Sequence, residues 1–129
     1  MEFKEYYIES KEGESNCVVR TFCKIFNKEY EEVLEALKKI AEELCYDDFN
    51  EIEVFETYLE EHGMKALDLG VDSKIKDVVL EKGKYAIFCW DKKQFYHMVP
   101  IIDDVVYDKN DECLELFVLT IYGENKDND

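Results

Sequence analysis

Up to Gly83 the apolar side chains of this chain mostly recur every three or four positions; beyond Gly83 they crowd into short runs rich in aromatic and β-branched residues. That change of period constrains the fold more than any other feature. A 3.6-residue period places apolar groups on one face of a helix, whereas a short continuous run bounded by turns suits a buried strand. The segment "NKEYEEVLEALKKIAEEL", residues 27–44, sets Tyr30, Val33, Leu34, Leu37, Ile40, Ala41 and Leu44 on one stripe, with Asn27 as its cap. Upstream, Val18, Phe22, Ile25 and Phe26 share a face of a helix that begins at Cys17 and is capped by Ser15 or Asn16. Downstream, Ile52, Phe55, Tyr58 and Leu59 predict a third helix over about 50–61, closed by Gly63 at C′.

After Gly83, "KYAIFCW" (84–90), "FYHMVPII" (95–102), "VVYD" (105–108) and "ECLELFVLTIYG" (112–123) read as strands. "DKKQ" is a turn, and Asp103–Asp104 fits a two-residue hairpin. "FKEYYIE" (3–9) and "KALDL" (65–69) predict shorter strands, "SKEGESN" (10–16) a polar loop, and "DSKIKDVVLEKG" (72–83) a short helix capped by Ser73. Pro100 cannot donate to a ladder, which predicts a sheet edge or a bulge there. Helices first and an antiparallel sheet afterwards define the α+β class. The 129 residues suit one domain over 1–123, with 124–129 as a disordered acidic tail.

Sixteen basic side chains stand against 32 acidic ones, for a net charge of −16. That excludes binding of nucleic acid by a basic patch and disfavours an anionic membrane surface. No apolar run approaches the roughly 18 residues of a membrane span. The start, "MEFKEYYIES", is charged and lacks the apolar stretch of a signal peptide. Five cysteines with no CxxC read as free thiols in a reducing cytoplasm. With two histidines and no paired ligand spacing, neither a metal site nor a cofactor is expected.

Cys17 stands apart among the thiols, because a helix N-terminus and a nearby imidazolium both favour the thiolate. Cys23 and Cys89 read as core residues, and Cys45 and Cys113 have no evident base. Of the histidines, His62 reads as a cation at a helix C-terminus. His97 lies in an otherwise apolar strand and needs a partner if buried. If Asp103–Asp104 is the turn, Ile102 pairs with Val105, and His97, Val99, Asp108 and Asn110 project to one face. Either Asp108 or Asn110 can then orient the imidazole; Asp108, which follows the strand directly, is better placed. Arg20, one turn after Cys17, is expected either to favour the thiolate or to pair with Glu14 at the surface.

The stretches "NCVVRTFCKIFNKEYEEVLEAL" (16–37) and "GKYAIFCWDKKQFYHMVPIIDDVVYD" (83–108) resemble the papain-like cysteine peptidase superfamily, in particular the small stand-alone papain-like proteins of bacteria and their phages. The likeness covers about residues 14–122 and rests on the order Cys, His, Asp in matching contexts. It implies a nucleophile at the head of a central helix packed on a sheet that carries the histidine. By that resemblance Cys17 is the nucleophile, His97 the base and Asp108 its orienter, acting on a peptide or amide substrate through a thioester. Papain-like peptidases often supply an oxyanion-hole Gln before the cysteine; "SKEGESN" has none, so Asn16 or the Cys17 backbone N–H would take that place. A second reading keeps the fold without turnover. In it, the chain is an acidic binding module that engages a basic protein or imitates a nucleic-acid backbone.

Overall fold

The computed structural model describes residues 1–9, 15–67, 69 and 72–124. Strand β1 (Glu2–Glu5) is followed by three helices, α1 (Cys17–Phe26), α2 (Tyr30–Glu43) and α3 (Ile52–Glu61). Strands β2 (Met64–Leu67), β3 (Lys84–Trp90), β4 (Tyr96–Ile102), β5 (Val105–Asp108) and β6 (Phe117–Glu124) complete a sheet of order β1-β5-β4-β3-β6-β2. All its pairings are antiparallel except β1 with β5, which is parallel. The class is α+β, as the change of period predicts, but the N-terminal strand also joins the sheet.

Helix α1 is buried beyond its apolar face: Val18, Val19, Phe22 and Ile25 are covered, and so are Arg20 and Thr21. Asn27 ends it in a left-handed conformation (φ 54°), and the Lys28 N–H donates to Cys23 O at 3.2 Å. Asn27 therefore closes α1 rather than opening α2, a conformation that asparagine tolerates better than most residues. Gly63 (φ 81°) follows α3 as expected.

The sheet buries both faces. Ala86 and Phe88 of β3 pack towards the helices, while Tyr85, Ile87 and Cys89 join a second core with Val99, Ile101 and Ile121. Two 3₁₀ turns, Ile75–Asp77 and Asp111–Glu115, supply Ile75 and Cys113 to that second core. Burial on both faces explains why β3 reads as an unbroken apolar run. The helix expected over 72–83 is only the first of these turns. Ile75 is its one fully buried anchor and Val79 is 92% exposed, too little packing for so short a helix. The strand expected from 112 likewise begins as the second turn and becomes β6 only at Phe117. Glu124 belongs to β6; the other tail residues, 125–129, and most of the expected 10–16 loop, 10–14, lie outside the described residues.

The β4–β5 hairpin turns on Asp103 and Asp104, both at positive φ (49° and 69°). Its register is the expected one, Ile102↔Val105 and Ile101↔Val106, and it stops there. In a two-residue hairpin Ile102 and Val105 form the hydrogen-bonded pair, so the next such pair would be Pro100 with Tyr107. Pro100 has no N–H to give. It sits buried in β4 and stays paired with Ala86 of β3 without a bulge, while on its other side the ladder to β5 has ended, so it marks a local edge of the kind expected. It ends one ladder while the other runs on. The Met98 carbonyl, two residues earlier and facing the same side, is met by α1 instead: Thr21 Oγ1 donates to it at 3.3 Å. Because the turn demands positive φ, Asp104→Gly should stabilise the fold by about 0.5–1 kcal/mol. The urea midpoint would rise with an unchanged slope.

Candidate active site

Cys17 is the first residue of α1, whose leading N–H groups have no acceptor within the helix. No side chain caps them. Asn16 occupies the cap position, but it is only 5% exposed and its Nδ2 donates to Ile8 O at 2.7 Å. Asn16 thus anchors the N-terminal segment to the head of α1. The partial positive charge of the helix end is left facing the half-buried Cys17.

Beside Cys17 lies His97. Its Nε2 is 2.8 Å from Asp108 Oδ2, which leaves Nδ1 for the hydrogen bond with the Cys17 thiol. Cys17 and His97 line the same cleft, and Asp108 backs the imidazole. Burial alone would raise the Cys17 pKa, but the hydrogen bond and charge of His97, the Met98 backbone and Ser15 outweigh it and bring it below its ordinary value. Burial would lower that of His97, but the hydrogen bonds to Asp108 and Cys17 push it up to about 9. These opposite shifts favour a thiolate–imidazolium pair. The Met98 amide can serve Cys17 because the ladder to β5 has already ended.

Asp108 is buried, which disfavours its charge, yet the His97 hydrogen bond, the Lys109 N–H (2.8 Å) and Arg20 hold it below the usual carboxylate range. Arg20 is only 8% exposed and lies 3.5 Å from Asp108, with its guanidinium 4.9 Å above the Tyr7 ring. It is therefore an interior partner of Asp108; Glu14 lies outside the described residues. Asn110 does not reach His97, because β5 ends at Asp108. Its Oδ1 instead accepts from the Glu112 N–H at 3.1 Å and caps the second 3₁₀ turn. Phe95, which the sequence reading passed over, stacks on the imidazole at 5.5 Å. Its position two residues before His97, on the same strand face, was the available signal. Asp91 Oδ1 accepts from the N–H groups of Lys93, Gln94 and Phe95 and so fixes the turn that leads into both rings.

A cleft of about 430 Å³ opens at Cys17 and His97. Its apolar wall comes from Val18, Phe55, Phe88 and Met98; Asp48, Asn50 and Glu51 line it from the connection between α2 and α3. That connection carried no sequence signal, since its place beside Cys17 depends on how α3 packs. No group of three or more His, Cys, Asp or Glu side chains among the described residues is arranged to hold a metal ion.

The other thiols differ from Cys17. Burial pushes Cys23 up to about 11, Cys113 up to about 12 and Cys89 well above the usual range, while Cys45 is exposed. His62 ends α3 as expected, but as a hydrogen-bonding group. Its Nδ1 donates to Tyr58 O (2.7 Å), which leaves Nε2 to accept from Lys28 Nζ (3.2 Å).

Alkylation followed by mass spectrometry should find Cys17 reacting with an apparent pKa below 9, with exposed Cys45 as the comparison within the same protein. In His97→Ala the two largest opposing interactions are lost while burial, the Met98 backbone and Ser15 remain, so the Cys17 curve should move to higher pH. Arg20→Met should cost about 1–3 kcal/mol in urea unfolding, because it strips a buried carboxylate of a cation. A depressed carboxyl pKa stabilises the fold above its unfolded value near 3.9, and that stability is lost as pH falls through the folded value. Acid unfolding of Arg20→Met should therefore begin at higher pH. Compared with protein-family models, curated proteins and solved structures, the chain has no match.

Proposed function

We propose that this protein is a thiol hydrolase of peptidase or amidase type on a papain-like architecture, with Cys17 as nucleophile, His97 as general base and acid, and Asp108 as orienter. The observation that carries the reading is the His97–Asp108 pair, at 2.8 Å, sharing one cleft with Cys17 at an uncapped helix N-terminus. The resemblance of residues 16–37 and 83–108 to papain-like peptidases supports it independently.

In this reaction Sγ of Cys17 attacks the amide carbonyl carbon, and the negative charge moves to oxygen. The first N–H groups of α1 are the donors at hand for that oxyanion. Collapse of the intermediate breaks the C–N bond, and the His97 imidazolium gives its proton to the leaving amine. A water molecule, deprotonated by His97, then attacks the thioester carbonyl, and the carboxylic acid leaves as Cys17 is restored. Asp108 holds the Nε2 proton throughout, which keeps Nδ1 facing sulfur. The imidazolium is needed for the first half-reaction, so activity should rise as Cys17 ionises and decline through about pH 9 as His97 loses its proton.

p-Nitrophenyl acetate provides a test that needs no knowledge of the natural substrate. Intact-mass spectra should record one acetyl group appearing on Cys17 and then decaying. His97→Ala should slow both steps by roughly 10²–10⁴-fold. An acetyl-Cys17 that never decays, or acetylation spread evenly over Cys17 and Cys45, would overturn the hydrolase reading and leave a binding protein on the same fold.

A further inference from the structure

The walls of the cleft differ in charge, and that difference bears on what the cleft accepts. Its inner wall is apolar. Its rims carry two half-exposed apolar side chains, Ile52 (49%) and Tyr96 (53%), with Tyr96 stacked on Phe88 at 5.8 Å. This space suits an apolar side chain held between α3 and β4. On the helical side the charged groups are Asp48 and Glu51, and His97 is the one basic residue in the lining. Asp48 Oδ1 accepts from the Asn50 N–H at 2.8 Å, and among the described residues no cation pairs with Asp48 or Glu51.

The same polarity continues behind the rim. Residues 28–62, which span α2, α3 and their connection, hold 13 acidic side chains against three lysines and one histidine. Acid added for solubility alone would be spread over the surface. Here it is concentrated in the helical layer that forms one wall of the cleft. Like charges gathered beside a cleft with apolar walls sum to a focused potential that attracts cations and repels anions. Two carboxylates beside an apolar wall suit an organic cation, whose apolar stem the wall can cover.

We propose that the cleft takes a lysine- or arginine-bearing polypeptide segment, with an apolar side chain seated against Phe55 and Phe88 and the neighbouring cation on Asp48 and Glu51. The proposal rests on the hydrolase reading and narrows its substrate to basic protein segments. It also makes a single site of the two features, acidic surface and reactive thiol, that the sequence left as alternatives.

The test uses the full chain carrying Cys17→Ala and blocked, fluorescently labelled hexapeptides that differ only at their centre: Leu-Lys, Leu-Gln, Leu-Glu and Ala-Lys. At about 20 mM salt, Leu-Lys should bind roughly tenfold more tightly than Leu-Gln, with Leu-Glu weaker still and Ala-Lys weaker than Leu-Lys. The preference for lysine should shrink to about two- to threefold when Asp48→Asn and Glu51→Gln are combined, and should shrink again at about 0.5 M salt. Equal binding of Leu-Lys and Leu-Gln, a lysine preference that survives both substitutions, or no binding by any of the peptides overturns the proposal. Turnover of p-nitrophenyl acetate by the parent protein reports on the hydrolase reading separately. Turnover at Cys17 without charge preference removes only the substrate class. Charge preference without turnover removes the hydrolase and leaves a docking cleft for basic segments.

Discussion

A buried carboxylate must be paired or it takes up a proton, and Asp108 is the buried carboxylate on which this structure turns. It meets the demand with groups from separate segments: the His97 imidazole of β4, the Arg20 guanidinium of α1, the backbone N–H of Lys109 and the thiol of Cys113 in a 3₁₀ turn. Satisfying this one charge therefore fixes where the central helix, the hairpin and the second core meet. The N-terminal segment is tied to the same point. The Tyr6 N–H donates to Asp108 O, Tyr6 Oη donates to Arg20 O, and Asn16 holds the Ile8 carbonyl.

The sheet yields at this point to make room. A continuous β4–β5 ladder would consume the backbone groups of Met98, and α1 could not bond there. Pro100 removes the donor that the next rung requires, and the vacated edge accepts Thr21 and the Cys17 thiol. The proline thus has a constructive role that its reputation as a strand breaker conceals. The opposite ladder, to β3, continues past it, so the strand remains interior and His97 is held in register with Cys89.

Electrostatics act on two length scales. The chain carries sixteen more negative than positive groups, which by itself disfavours a thiolate. Hydrogen bonds within the site oppose that field over a few ångströms, where screening is weak, and they bring the Cys17 pKa down. The long-range charge is left to act on what approaches. This separation allows a lowered thiol pKa and an acidic cleft wall to coexist in one small fold.

Much of this was legible in the residues. The switch of apolar period at Gly83 marked the α+β class, the stripe over 27–44 marked α2, and the two-residue turn predicted the hairpin register and hence the nearness of Asp108 to His97. These features are local, and local periodicity and turn chemistry are what a sequence encodes most directly. Where the reading failed, long-range packing decided the outcome. The helix expected over 72–83 lacked a buried partner for Val79, Asn27 closed one helix instead of opening the next, and β1 found its mate in β5 a hundred residues away. The burial of Arg20 against Asp108 and the placement of Asp48 and Glu51 beside Cys17 belong to the same class. Sequence by itself determined which chemical groups were present and which face of each element they occupied. Only the tertiary structure decided which of them met, because burial and pairing of charge depend on segments that are distant along the chain.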